Sequence, residues 1–170
     1  MKTLSFRSIC ILLSTLFMTQ FALGQKKAAS PRDSVLGKSG NAAILITYGS
    51  PSVKGRVIWG DLVPYGKVWR TGANEATTFK TNNDIMVEGK KLAKGTYGFF
   101  AIPGEKEWII IFNKNYTQWG AYDYKQSEDV LRVTVKAKKS SNMNERLIYK
   151  INESGFSLLW ENLEVPVSVK

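Results

Sequence analysis

The chain has 170 residues, a formal net charge of +10, no histidine and a single cysteine, Cys10. Without histidine, Ser-His-Asp and Cys-His catalysis, histidine general bases and the usual zinc and copper sites are excluded. The length allows one ordinary domain with enough chain to bury a real core.

Residues 1–24 read as a secretory signal peptide. Lys2 and Arg7 form a positive start, Ile9 to Met18 is a short apolar run, and Ala22-Leu23-Gly24 supplies small residues for cleavage before Gln25. Gln20 interrupts the run, which is shorter than the roughly 20 apolar residues needed to span a bilayer. Cys10 lies inside that run and not at the cleavage site, where a lipid anchor would need it. Residues 25–170 are therefore expected to be exported, to the periplasm or out of the cell, and to fold without disulfides. Their surplus of lysine is spread out. Lys90, Lys91 and Lys94 fall in a turn, and Lys136, Lys138 and Lys139 run off a strand end. This pattern reads as solvated surface and edge protection more than as a patch for an anionic polymer.

Residues 25–32 (QKKAASPR) read as a flexible leader and residues 33–170 as one β domain. Ile44, Ile46 and Tyr48 begin a period-2 alternation. Next comes PSVKGRVIWGDLVPYGKVWRTGANE (51–75), a turn-rich segment with room for one helical turn near Asp61–Tyr65. Strands are expected over Thr77–Thr81, Ile85–Glu88 and Tyr97–Ile102, separated by Asn82-Asn83-Asp84, Gly89-Lys90-Lys91 and Lys94-Gly95. Trp108 to Phe112 is apolar throughout, as a strand covered on both faces would be. Leu131–Ala137, Leu147–Ile151 and Phe156–Trp160 alternate cleanly, and Pro166 within Val165–Val169 suggests a final edge strand. Many short strands and frequent turns predict an all-β domain, an antiparallel β-sandwich of jelly-roll-like type.

Binding groups concentrate on loops held by a rigid framework, and segment 51–75 is dense in them. Arg70 offers a planar fork for a carboxylate, a phosphate or a pair of sugar hydroxyls. Trp69 offers a stacking surface, Asn74 can both donate and accept, and Gly72 permits a positive φ and a close backbone approach. Arg56 is a candidate second clamp. Trp119, in the loop WGAYDY (119–124), is a candidate pocket wall. Arg56, Trp69, Arg70, Asn74, Glu75 and Trp119 are thus the candidate ligand-binding residues. The structural alternative is that Arg70 pairs with Glu75 or Asp61 to pin the loop, that Arg56 is an ordinary surface charge, and that Trp119 caps the sandwich. Tyr48 and Trp59 are expected at the core rim, and Trp108 and Trp160 in the core.

The candidate catalytic carboxylates are Glu75, Asp61 and Asp123, with no complete catalytic arrangement visible. There is no Walker loop, dinucleotide fingerprint, calcium loop or nucleic-acid motif. No cofactor or metal and no nucleic acid is expected.

The motifs PSVKGR (51–56), LVPYGKVWRTGANEAT (62–77), KLAKGTYGFFAIPG (91–104), EWIIIFNK (107–114) and WGAYDY (119–124) carry a resemblance across essentially all of residues 25–170. The chain resembles the secreted bacterial proteins known as domain of unknown function 2911, common in Bacteroidota. The resemblance implies an envelope or secreted location and a shared site around GKVWRTGANE (66–75). It implies no substrate. Asp33-Ser34-Val35 is also similar to the short O-glycosylation signal of periplasmic proteins in those bacteria. The leading expectation is a non-catalytic envelope binding protein for a glycan, cell-wall fragment or other small polar ligand. One alternative is a histidine-free hydrolase using Glu75 with Asp61 or Asp123. Another is a scaffold that binds a protein partner through edge strand 164–169.

Overall fold

The computed structural model describes residues 29–170, so the signal sequence and the leader up to residue 28 lie outside the described residues. Ten strands follow one another: β1 (Arg32–Ser39), β2 (Ala42–Gly49), β3 (Thr77–Thr81), β4 (Ile85–Val87), β5 (Lys90–Leu92), β6 (Gly95–Ile102), β7 (Glu107–Asn113), β8 (Asp129–Lys136), β9 (Lys138–Asn152) and β10 (Gly155–Ser168). The described residues contain no α-helix, and none of their helices is long and apolar enough to cross a membrane. One 3-10 turn, Gln126–Glu128, leads into β8.

The chain is an antiparallel β-sandwich. One layer is a six-stranded sheet in the order β1-β2-β3-β6-β7-β8. Its order is that of a meander, simpler than the exchange between layers of a jelly roll, because β4–β5 leaves it as a separate hairpin. The second layer is built on the long β9–β10 hairpin. Pro51–Val53 runs along one side of β9, with Val53 N–H donating to Glu145 O (2.7 Å) and Leu147 N–H to Pro51 O (2.9 Å). On the other side of the hairpin, β4 pairs with the end of β10. Met86 N–H donates to Lys170 O (2.7 Å), and Lys170 N–H returns to Met86 O (2.9 Å). Of the free edge expected over 164–169, Ser168 and Val169 are therefore already paired.

The inward faces meet in one apolar core that includes Ile44, Ile46, Phe79, Phe99, Phe112, Leu147, Phe156, Leu158 and Val165. Burying each such side chain stabilises the fold by about 1.5–3 kcal/mol. Trp108 and Trp160 are in this core, as their strand alternation predicts. Tyr48 is fully buried and not at the rim. The central strands are covered on their outer face as well. Ala76, Phe100 and Ile111 form a second small cluster beneath Val68, Ala121 and Tyr124. That cover explains why WIIIF is apolar throughout.

Three expectations need correction. The segment near Asp61–Tyr65 is not helical. It is a set of turns tied by Gly60 N–H to Val63 O (3.0 Å) and Val63 N–H to Ile58 O (2.9 Å). Phe156–Trp160 and Val165–Val169 are largely one strand, bent by register shifts around Glu161, whose φ is +54°. The end of the leader is bonded to the domain, with Ser50 N–H donating to Pro31 O (2.8 Å). Asp33 and Ser34 lie exposed on β1, which forms a sheet edge.

The layers are also joined by a tyrosine pair. Tyr48 on β2 and Tyr149 on β9 meet edge to face at 4.7 Å, and Tyr149 N–H donates to Tyr48 Oη at 3.4 Å. Burial pushes the Tyr48 phenol up to about 12. Complete burial pushes Tyr149 up as well. An unfolded tyrosine titrates near 10. The folded state therefore holds both protons more tightly, so stability is undiminished below pH 10 and falls as pH rises through 10 towards 12. Denaturant melts followed by circular dichroism from pH 8 to pH 12 should show stability falling above pH 10. Tyr149→Phe should flatten that fall while lowering stability at pH 7 by about 1 kcal/mol.

Candidate functional site

The site is made by an excursion of the chain between the end of the 51–70 segment and β3. Trp69 joins the sheet by two hydrogen bonds with Ala101, its N–H donating (2.8 Å) and its carbonyl accepting (2.9 Å). The chain then leaves as residues 71–76 and returns at Thr77, whose N–H donates to Arg70 O at 3.3 Å. The ends of the excursion thus meet, as in a compact loop packed by its own groups.

Its shape is fixed from below. Thr71 is completely buried and has φ +53°, a strained conformation for a β-branched residue. Its hydroxyl donates to Phe99 O (2.8 Å), and its carbonyl accepts from Tyr149 Oη (2.8 Å) and Thr77 Oγ1 (3.2 Å). The left-handed positions expected of Gly72 fall instead on Thr71 and on Asn74, at φ +65°. Gly72 serves the other purpose. A side chain there would meet Thr77 Oγ1 and Gly49 O, and one on Gly49 would collide with Ala73 O. Two facing glycines let the loop backbone rest on β2, where Ala73 N–H donates to Gly49 O (3.2 Å).

A pocket of about 300 Å³ opens on one side of the excursion. Arg56, Trp69, Arg70 and Asn74 all line it, so four of the six candidate binding residues come together. Trp160, read from sequence as core alone, also contributes to the wall. Trp69 does not offer two free faces. It stacks on Trp160 (6.0 Å, 15°) and meets Trp59 and Trp108 edge to face at 5.8 and 6.2 Å. Each such aromatic pair adds about 0.5–1.5 kcal/mol beyond area burial, so Trp69 is a rigid wall. The indole N–H groups of Trp59, Trp108 and Trp160 are buried without acceptors. The edge-to-face packing of Trp59 against Trp108 and Trp160 (5.0 and 5.7 Å) suits N–H contact with a ring face.

Among the described residues, no carboxylate lines this pocket. Arg70 is half-buried, and its Nε–H has no partner. Burial draws its pKa below the usual guanidinium value, opposed by the neighbouring Tyr122. Among the described residues neither Arg70 nor Arg56 forms an ion pair. The lock expected between Arg70 and Glu75 or Asp61 is not formed. Arg56 is exposed and held to its own turn, its Nε–H and Nη2–H donating to the carbonyls of Val53 (3.1 Å) and Ser52 (2.5 Å). Asn74 Nδ2 donates to Ser30 O at 3.1 Å.

Glu75 and Trp119 face a different opening. They pair with each other through the backbone, alongside the bonds Ala76 N–H to Gln118 O (2.9 Å) and Gly120 N–H to Asn74 O (3.0 Å). Together with Arg32, Tyr116 and Gln118 they line a groove of about 420 Å³. Glu75 pairs with Arg32 at 3.4 Å, in solvent. The WGAYDY loop is anchored by Tyr124, whose hydroxyl donates to Asp129 Oδ2 (2.7 Å) and accepts from Arg132 Nη2 (2.6 Å). Asp61 and Asp123 are exposed on turns, and none of these pockets is lined by two of the three candidate carboxylates. Among the described residues, no cluster of acids could hold a metal.

Because the loop rests on bare backbone, Gly49→Ala should force it off β2. Overpacking of this kind costs about 1–3 kcal/mol. A thermal melt should show a drop of several degrees, whereas Gly66→Ala, in open space at φ +72°, should disturb only its own turn.

No curated protein and no solved structure matches the chain. One family model does, over residues 30–169, and it spans the sheet, the excursion and both openings. The chain therefore belongs to the family described as protein of unknown function (DUF2911).

Proposed function

We propose that the protein is an exported, non-catalytic binding protein whose arginine pocket holds a small polar ligand through an acidic group, a glycan or cell-wall fragment being the class that fits. One observation carries this reading. Arg70, half-buried and without an ion pair among the described residues, lines together with Arg56 a pocket that has no carboxylate in its lining. Holding a guanidinium partly out of water without a counter-charge is costly, and an incoming anion offsets that cost. Trp69 and Trp160 give the pocket flat apolar walls, and Asn74 adds a polar group beside them. A few placed polar groups in an aromatic-lined cavity is the usual make-up of a small-ligand site. The non-catalytic reading rests on the exposure of Asp61 and Asp123 on turns and on the fact that none of these pockets is lined by two of the three candidate carboxylates. Export rests on the pattern of residues 1–24.

The test is a tryptophan-fluorescence titration with peptidoglycan fragments and acidic and neutral oligosaccharides. Saturable quenching by the acidic members is expected. Arg70→Ala should weaken it by about tenfold or more with little change in melting temperature. Arg70→Lys, which keeps the charge but loses the fork, should fall between. If both variants unfold the protein, or if both bind as the wild type does, Arg70 is a structural residue.

A further inference from the structure

The two openings flanking the excursion adjoin. Asn74 lines the arginine pocket and Glu75, the next residue, lines the groove. Arg70 Nη1 lies 3.4 Å from where a side chain on Gly120 would begin, and Gly120 N–H is bonded to Asn74 O. The loop that carries Trp119 thus rests directly against the arginine. Each opening, at about 300 and 420 Å³, is near the small end of ligand pockets, roughly 300–1,000 Å³.

The groove differs chemically from the pocket. Trp119 and Tyr116 are 57% and 43% exposed, although large aromatics are usually covered. The same groove is lined by a cation and an anion, Arg32 and Glu75, both half-exposed. Gln118 beneath is 6% exposed, and its Oε1 has no hydrogen-bond partner although its Nε2 donates to Asn115 O (3.1 Å). Flat apolar surface beside donors and acceptors of both kinds matches a sugar ring, which has an apolar face and a rim of hydroxyls that both donate and accept. The arginine pocket matches a carboxylate.

We infer that the pocket and the groove are two subsites for one ligand, an acidic saccharide of at least two rings. Its carboxylate lies between Arg56 and Arg70, and its neighbouring ring stacks on Trp119 beside Arg32 and Glu75. This rests on the binding function proposed above and names the class and length of its ligand. The groove is what converts a weak grip on one acid group into recognition of a chain, because the second contact is made by a ligand already held.

Isothermal titration calorimetry with a hexuronic acid, its linear dimer and trimer, the neutral hexose trimer and an acidic tripeptide tests this. The wild type should bind the dimer and trimer about tenfold more tightly than the monomer, a gain of the size one stacked ring supplies. In Trp119→Ala the ratio of dimer to monomer affinity should fall towards one, and Trp119→Phe should restore most of it. Arg70→Ala should weaken every acidic saccharide. A dimer no tighter than the monomer, or a ratio unmoved by Trp119→Ala, overturns the second subsite and leaves the arginine pocket standing. Arg70-dependent binding of the tripeptide and of no saccharide overturns the ligand class alone. If no acidic compound binds the wild type, the pocket reading falls and the inference falls with it.

Discussion

The hydrogen bond from Tyr149 Oη to the carbonyl of Thr71 ties the second layer of the sandwich to the loop that carries the site. Thr71 holds a left-handed backbone that costs a β-branched residue on the order of 1–3 kcal/mol. Such a conformation persists where the surroundings over-determine it. Here the hydroxyl of Thr71 is bonded to Phe99, its carbonyl to Tyr149 and Thr77, and the next residues rest on Gly49. Residues 71–76 are consequently set by the core. What they present outward, Asn74 on one side and Glu75 on the other, inherits that rigidity.

Rigidity matters because of what the loop surrounds. A half-buried guanidinium without an ion pair, in a pocket shared with a second arginine, is an arrangement that folding alone does not favour. It survives here because Trp69, Trp59, Trp108 and Trp160 brace the pocket wall, and because Arg56 is held by two carbonyls of its own turn. Elsewhere the protein neutralises its buried charges. Arg132 is paired with Asp129, and the same cluster takes in Tyr124 and Asn113. The contrast between Arg132 and Arg70 is the physical basis for placing a ligand at the second and not the first.

The strands were legible where one face is buried and the other wet. Leu131 to Lys136 and Ile44 to Tyr48 alternate because the sheet has two unlike sides there. β1 was not legible because RDSVLGKS is exposed along most of its length and its apolar residues, Val35 and Leu36, are adjacent and do not alternate with polar ones. The first half of β9, KKSSNMN, was missed for the same reason. β10 looked like two strands because its bulges fall at polar residues. At the site, the clustering of Arg56, Trp69, Arg70 and Asn74 within 20 residues was readable, since turns keep near neighbours close. That Glu75 turns away from Asn74 was not, because it depends on backbone pairing with Trp119. The role of Trp160 in the pocket wall was not readable either, since it comes from a strand 90 positions later in the chain. Nor was the strain at Thr71, because Gly72 beside it is the residue that sequence logic favours for such a conformation.

The most direct test of the account is an NMR titration that follows the arginine Nε–Hε resonances while a hexuronic acid is added to the purified protein. The account predicts saturating shifts at Arg70 and Arg56, with Arg132 unmoved as an internal reference. No shift at Arg70, or the same unsaturable drift at every arginine, would contradict it.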